Sequence, residues 1–262
     1  MHVVALLSQD MLLSQALSDF RDEALHVYLH PIPPGRDLVR VLESLEPIDF
    51  VGALILDELS QTKAYQTAQR SSLDAQQVEA ADTVTVTAGG LIAEYNFGRA
   101  IGSALRHAEW DPRGASAVVL GANINARAVC RELSSLGLKQ LTVLANNRPL
   151  AEQTAAGLAA STEIFASAQN DPLAQSMIEN ADLLVRVDPK LSFISDWLGP
   201  HLTVVDLAPQ TMSSLRQQAL EAGALAIGLR DVQAHQIALA LNHILGARFE
   251  AGGFLELLLG IE

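Results

Sequence analysis

Cysteine is nearly absent from this chain: one residue, Cys130, in 262. A lone cysteine makes no internal disulfide, so a disulfide-stapled fold and Cys-x-x-Cys redox or zinc motifs are excluded. Its place in a helical pattern predicts a buried structural thiol, and a reducing, cytoplasmic setting is expected. Positive charge is also scarce. Seventeen lysines and arginines against 30 aspartates and glutamates give a net charge of −13. That balance argues against nucleic acid or an anionic membrane as the main partner, although a few local donors can still hold a small anion. No apolar run reaches the roughly 18 uncharged residues of a membrane span. Met1 to Leu7 is apolar with no basic leader before it, and Asp10 follows soon after, so a secretory signal is not expected. There is no Gly-x-Ser-x-Gly elbow, no Walker phosphate loop and no metal-ligand constellation, so no metal is expected.

What is present is globular in composition, 49% apolar and 18% charged, and long enough for two domains of ordinary size. Strand-like and helix-like segments alternate from the start. His2 to Leu7 reads as a strand, Ser14 to Glu23 as a helix, Leu25 to Leu29 as a strand and Val51 to Leu56 as another. His30-Pro-Ile-Pro-Pro-Gly35 is a rigid turn, and Asp37 can cap a helix running to about Leu45. Gln61 to Ala68 is a polar helix. Thr83 to Thr87 and Leu91 to Glu94 read as strands joined through Ala88-Gly89-Gly90. The helix pattern from Phe97 to Trp110 marks a domain boundary. After it, short apolar strands at Ala117, Leu141, Glu163, Asp182, Leu202 and Leu225 alternate with helices, and the tail from Val232 to Ile261 is mostly helical. Such a rhythm predicts βαβ units and a parallel sheet covered on both faces. The fold class is therefore α/β. An N-terminal α/β substrate domain (1–100, with C-terminal helices about 237–262) is expected beside a Rossmann-type, doubly wound dinucleotide-binding domain (101–236).

One junction carries chemistry. The strand ending at Leu120 runs into Gly121-Ala122-Asn123-Ile124-Asn125-Ala126, where a helix begins. A pyrophosphate loop needs this context, because the N–H groups and dipole of the helix then face the phosphates. Gly121 fits the tight-turn position and Ala126 the small residue that lets helix pack on strand. Asn123 replaces a middle glycine and is expected to tolerate positive φ there. Twenty residues on, the end of the second strand reads Ala145-Asn146-Asn147-Arg148. No acid stands there to hold ribose hydroxyls, and an arginine suits a 2′-phosphate, so NADP is expected over NAD.

With these residues placed, the chain resembles the shikimate dehydrogenase family over nearly its whole length. The family's loop, roughly Gly-Ala-Gly-Gly-Ala-Ala-Arg-Ala, is matched by Gly121 to Ala128, and its Asn-Arg-Thr by Asn147-Arg148-Pro149. Asp206, Pro209 and Thr211 resemble the family's Asp, Pro and Thr, and Gly228-Leu229 with Gln236 resembles its Gly-Leu turn and substrate glutamine. The resemblance implies an NADP-dependent dehydrogenase of aromatic amino acid biosynthesis. It would bind shikimate or a related cyclic hydroxy acid in an interdomain cleft and act as a monomer or homodimer.

The resemblance implies cofactor contacts at Gly121, Ala122, Asn123, Asn125, Ala126, Asn147 and Arg148, and substrate contacts at Asn96, Gln236 and Ser14. The family's Ser-x-Ser slots fall on Asp10 and Leu12 when counted back from Phe20, with Ser8 and Ser14 close by. Its catalytic lysine falls on Ser60 or Gln61, one turn from Lys63, which can supply the amine. A substrate asparagine becomes Asp82, a candidate carboxylate for the proton, and the catalytic aspartate becomes Gly98. An amine beside a carboxylate is suited to general acid–base work. The replacements leave two readings: an oxidoreductase, or a non-catalytic binding or regulatory protein of the same shape. A third, another two-domain dehydrogenase such as a methylene-tetrahydrofolate or glutamyl-tRNA reductase relative, is disfavoured by the Gly228-to-Gln236 pattern.

Overall fold

The computed structural model describes residues 1–260 except 23, 160, 192–194 and 211; Thr211 thus lies outside the described residues. The chain divides into two compact units, Met1–Asn96 with Ala234–Glu262, and Phe97–Gln233.

The first unit is built on a seven-stranded mixed sheet. Its chain order is β1 (His2–Leu7), α1 (Met11–Ser18), β2 (Arg21–Asp22), β3 (Val27–Pro31), α2 (Leu38–Ser44), β4 (Phe50–Ile55), α3 (Glu58–Thr67), β5 (Arg70–Ser71), α4 (Leu73–Val78), β6 (Thr83–Thr87) and β7 (Gly90–Glu94). The strands lie in the order β2-β3-β1-β4-β6-β7-β5, with β1 parallel to β3 and β4, and β6 antiparallel to β4 and β7. Short polar residues set the helix starts. Asp10 caps α1 by accepting from the Leu13 N–H, so the helix opens at Met11 rather than Ser14. It stops at Ser18, short of the expected Glu23, because Asp19 and Phe20 turn back onto Ala16 and Leu17 before β2. Asp37 caps α2 as expected and Asp57 caps α3. The strand expected over Leu25–Leu29 is shifted to Val27–Pro31: His26 turns at φ 51, and pairing with β1 runs on to Pro31. A proline is tolerated there because β2 pairs only with Val27 and Tyr28. The six-residue α4, capped by Ser72, is too short to show a helical period in the sequence.

The second unit opens on α5 (Phe97–His107) and alternates strictly: β8 (Ser116–Leu120), α6 (Ile124–Ser135), β9 (Gln140–Ala145), α7 (Arg148–Ala155), β10 (Glu163–Ala168), α8 (Ala174–Glu179), β11 (Leu183–Arg186), β12 (Thr203–Asp206), α9 (Ser214–Glu221) and β13 (Leu225–Gly228). The six strands are all parallel and lie in the order β10-β9-β8-β11-β12-β13. Numbered within the unit this is 3-2-1-4-5-6, the doubly wound dinucleotide-binding order. Val118, Leu120, Leu144, Leu184 and Val204 pack with Ile178, Leu215 and Ala219 from the helices above them.

Two C-terminal helices follow, α10 (Leu229–Leu245) and α11 (Ala251–Leu259). In the first unit Ile237, Leu241, Phe254 and Leu258 close over Leu6, Leu13, Leu17 and Leu54. Full burial of each such side chain contributes about 1.5–3 kcal/mol. Gly52 is a point of close approach in this unit. A Cβ there would stand 2.5 Å from the Val84 carbonyl and 3.0 Å from the Ile244 side chain.

Candidate functional site

In the second unit β8 lies between β9 and β11, where the winding of the sheet reverses. Ligands of such sheets bind beyond the carboxyl ends of the strands at this switch point. Gly121 occupies the position. Its φ of 144° belongs to glycine, and a Cβ on it would stand 3.2 Å from both the Asp188 nitrogen and the Val187 Cβ. Ala122 follows, and Asn123 caps α6, its Oδ1 accepting from the Ala126 N–H at 2.9 Å. The expectation of positive φ at Asn123 is corrected: its φ is −88°, because capping requires extended backbone. Asn125 lies in the first turn, and Ala126 is fully buried, letting α6 sit close on the sheet.

At the end of β9, Asn147 caps α7 through the Leu150 N–H, and Arg148 is the first residue of that helix. The Arg148 side chain is exposed, and its Nε donates to Glu152 Oε1 at 2.8 Å. Asp171 is near enough to feel its charge. The Ser167 hydroxyl, the Leu173 N–H and Arg148 together hold the Asp171 carboxyl below the usual range.

Sequence reasoning missed one feature of this rim. Arg186 ends β11 and is paired in register with Asp206, which ends β12. Nε and an Nη of Arg186 donate to the two Asp206 oxygens at 2.8 Å each, and both side chains are buried. Ser213, the cap of α9, donates to Asp206 as well. The signal was an arginine closing an apolar strand, a place where a charge needs a partner.

In the first unit Asp82 is the centre of a buried polar cluster. Its Oδ2 accepts from the Asn96 N–H at 2.8 Å and from Gln236 Nε2 at 2.9 Å; its Oδ1 accepts from the Thr83 hydroxyl at 2.9 Å. Asn96 Nδ2 donates to the Thr83 oxygen at 3.0 Å. Asp82, Thr83, Asn96 and Gln236 are each 3% exposed or less. The structure therefore brings together Asp82, Asn96 and Gln236. Because Asp82 only accepts, the Asn96 amide is fixed with its NH₂ inward, and Asn96 Oδ1 is left buried without a partner among the described residues. Gln61 joins next door, donating to the Ile55 carbonyl and accepting from Tyr95.

Lys63 is not part of this cluster. It is half-exposed on α3, with Nζ 3.8 Å from Asp37 Oδ1. Ser14 is half-buried in the middle of α1. At the carboxyl ends of β1, β3 and β4 a separate small pocket is lined by Ser8, Gln9, Arg36, Asp57 and Ser60, with Leu7 and Pro33 among its apolar residues. Ser60, one of the two lysine slots, donates to Asp57 at 2.6 Å.

The aspartate slot is closed. Gly98, in the first turn of α5, packs so tightly on α6 that a Cβ would come within 2.6 Å of the Ala128 carbonyl oxygen. Cys130 is buried in α6, and burial pushes its thiol up to about 12. Among the described residues no group of three or more His, Cys, Asp or Glu could hold a metal ion, and no helix is long and apolar enough to cross a membrane.

No protein-family model matches the chain. It is 32% identical over 116 residues to a shikimate dehydrogenase (NADP(+)) of Desulforamulus reducens, spanning 43% of this chain and only 40% of that protein's length. To the shikimate dehydrogenase (NADP(+)) of Dinoroseobacter shibae it is 27% identical over 210 residues, covering 77% of this chain and 74% of the relative. Among solved structures, quinate dehydrogenase from Corynebacterium glutamicum in complex with NAD superposes with a TM-score of 0.84 over 99% of both chains, at 18% identity. That likeness establishes the fold.

Proposed function

We propose that this chain, a divergent relative of the shikimate dehydrogenases, is an NADP-dependent oxidoreductase acting on a small cyclic polyol. The observation that carries the proposal is the parallel 3-2-1-4-5-6 sheet with Gly121 turning into the N-terminus of α6 at its switch point. Gly121, Ala122, Asn123, Asn125 and Ala126 form the loop for the pyrophosphate, and Asn147 with Arg148 takes the adenosine 2′-phosphate. The absence of an acid at the end of β9 removes the usual preference for a free ribose hydroxyl. A bound nicotinamide would supply the hydride chemistry.

The substrate side rests on the cluster of the first unit. Asn96 and Gln236 are its hydrogen-bonding groups, with Ser14 a further substrate contact, and Asp82 orders them. The unfilled acceptor at Asn96 Oδ1 calls for a donor such as a hydroxyl. Asp82, where shikimate dehydrogenases have an asparagine, adds a like charge against a carboxylate, so a neutral polyol is preferred to shikimate itself. Lys63, half-exposed on α3 with Nζ 3.8 Å from Asp37 Oδ1, lies outside this cluster and is the proton-transfer candidate only through its place one turn from the lysine slots.

A second reading, a non-catalytic binding protein of the same shape, is favoured by one observation: Gly98 leaves no room for a carboxylate where the family has one. Steady-state turnover separates the two. Neutral cyclic polyols screened with NADP⁺ should outpace shikimate and quinate, and Lys63→Ala should lower the rate by about 10²-fold or more. Turnover unchanged in Lys63→Ala would remove the lysine from the mechanism. Nucleotide binding without turnover on any polyol would favour the second reading.

A further inference from the structure

Asp188 follows the end of β11 and stands against the phosphate-loop candidate. The Leu120 carbonyl, last of β8, accepts from the N–H groups of both Val187 and Asp188, at 2.8 and 3.1 Å. This fixes Asp188 beside the turn, its Cβ 3.5 Å from where a Cβ on Gly121 would be. Asp188 Oδ1 accepts from the Lys190 N–H at 3.0 Å, which holds the side chain in one orientation. The side chain is half-buried, and among the described residues no cation lies within ion-pairing distance of it. Asp206, on the same rim, differs: Arg186 neutralises it. The loop has also given up part of its own attraction for an anion, because Asn123 Oδ1 already takes the Ala126 N–H.

We propose that Asp188 sets the affinity of this loop for pyrophosphate. The inference rests on the dinucleotide reading of the second unit. A pyrophosphate held by this loop would bring two negative charges to the turn that Asp188 stands beside. At a partly wet site that repulsion is large enough to weaken binding about tenfold. Adenosine, which carries no phosphate, escapes it. The residue thus selects ligands by charge at the phosphates and leaves base and sugar recognition alone.

Asp188→Asn tests this directly, since the amide keeps the oxygen that accepts from Lys190 and removes only the charge. Dissociation constants for NADPH, ADP-ribose and adenosine are measured by calorimetry on the full chain and on the variant. The expected result is about tenfold tighter NADPH and ADP-ribose with adenosine unchanged. NADPH bound equally by both proteins overturns the role of Asp188 and leaves the dinucleotide reading standing. A tightening shared by adenosine also overturns it, because a charge effect at the phosphates cannot reach that ligand. Absence of pyrophosphate binding in both proteins overturns the inference and the dinucleotide reading together.

Discussion

Asp82 shows how a single residue decides what its neighbours can do. Protein donors converge on its carboxylate from the Asn96 backbone and side-chain amide, Gln236 and Thr83. A carboxylate accepts them all; an asparagine has one oxygen and must turn an NH₂ toward a donor. Asp82→Asn is therefore expected to lower stability by about 1–3 kcal/mol, read as a lower midpoint in chemical denaturation. An unchanged midpoint would mean that the cluster does not depend on the charge. Gly98 follows the same logic with sterics in place of hydrogen bonds, since the Ala128 carbonyl occupies the space of any side chain. These positions were visible in the sequence as substitutions, but their consequences were not. That Asn96 and Gln236, 140 residues apart, meet on one carboxylate is a product of α10 folding back onto the first sheet.

Among elements, the regular ones were legible and the short ones were not. The strands and helices of the second unit follow from apolar runs of four to six residues separated by Gly and capping side chains, as at Asn123, Asn147 and Ser213. The two-residue β2 and β5 and the six-residue α4 and α8 carry too little pattern to be read, and they form because the sheets around them supply partners. The Arg186–Asp206 clasp belongs to this scale, because parallel pairing of β11 with β12 places the two side chains in register. Arg186→Met leaves Asp206 buried without its partner and is expected to cost about 3–5 kcal/mol. The double variant Arg186→Met with Asp206→Leu should regain most of that loss. A denaturation midpoint unchanged in the single variant would show that the pair is not what joins these strand ends.

For the whole molecule, the acidic balance and the fold pull in different directions. A net charge of −13 disfavours anions, yet the second unit has the strand order of dinucleotide-binding sheets, with Arg148 at the position proposed for the 2′-phosphate. Arg148 is paired with Glu152, and Asp188 stands beside Gly121, so acidic side chains lie at both ends of the proposed cofactor loop. The α/β class and the Rossmann-type sheet were readable from the sequence because they rest on repeated patterns along the chain. Cofactor preference and chemistry rest on a handful of side chains, which carry no such repeat. Everything proposed for this molecule depends on the second unit holding NADP. Titration of the purified chain with NADPH, followed by nucleotide fluorescence and compared with NADH, tests this most directly. Saturable binding with NADPH preferred by about tenfold or more is the expected result; no binding of either nucleotide at millimolar concentration would contradict it.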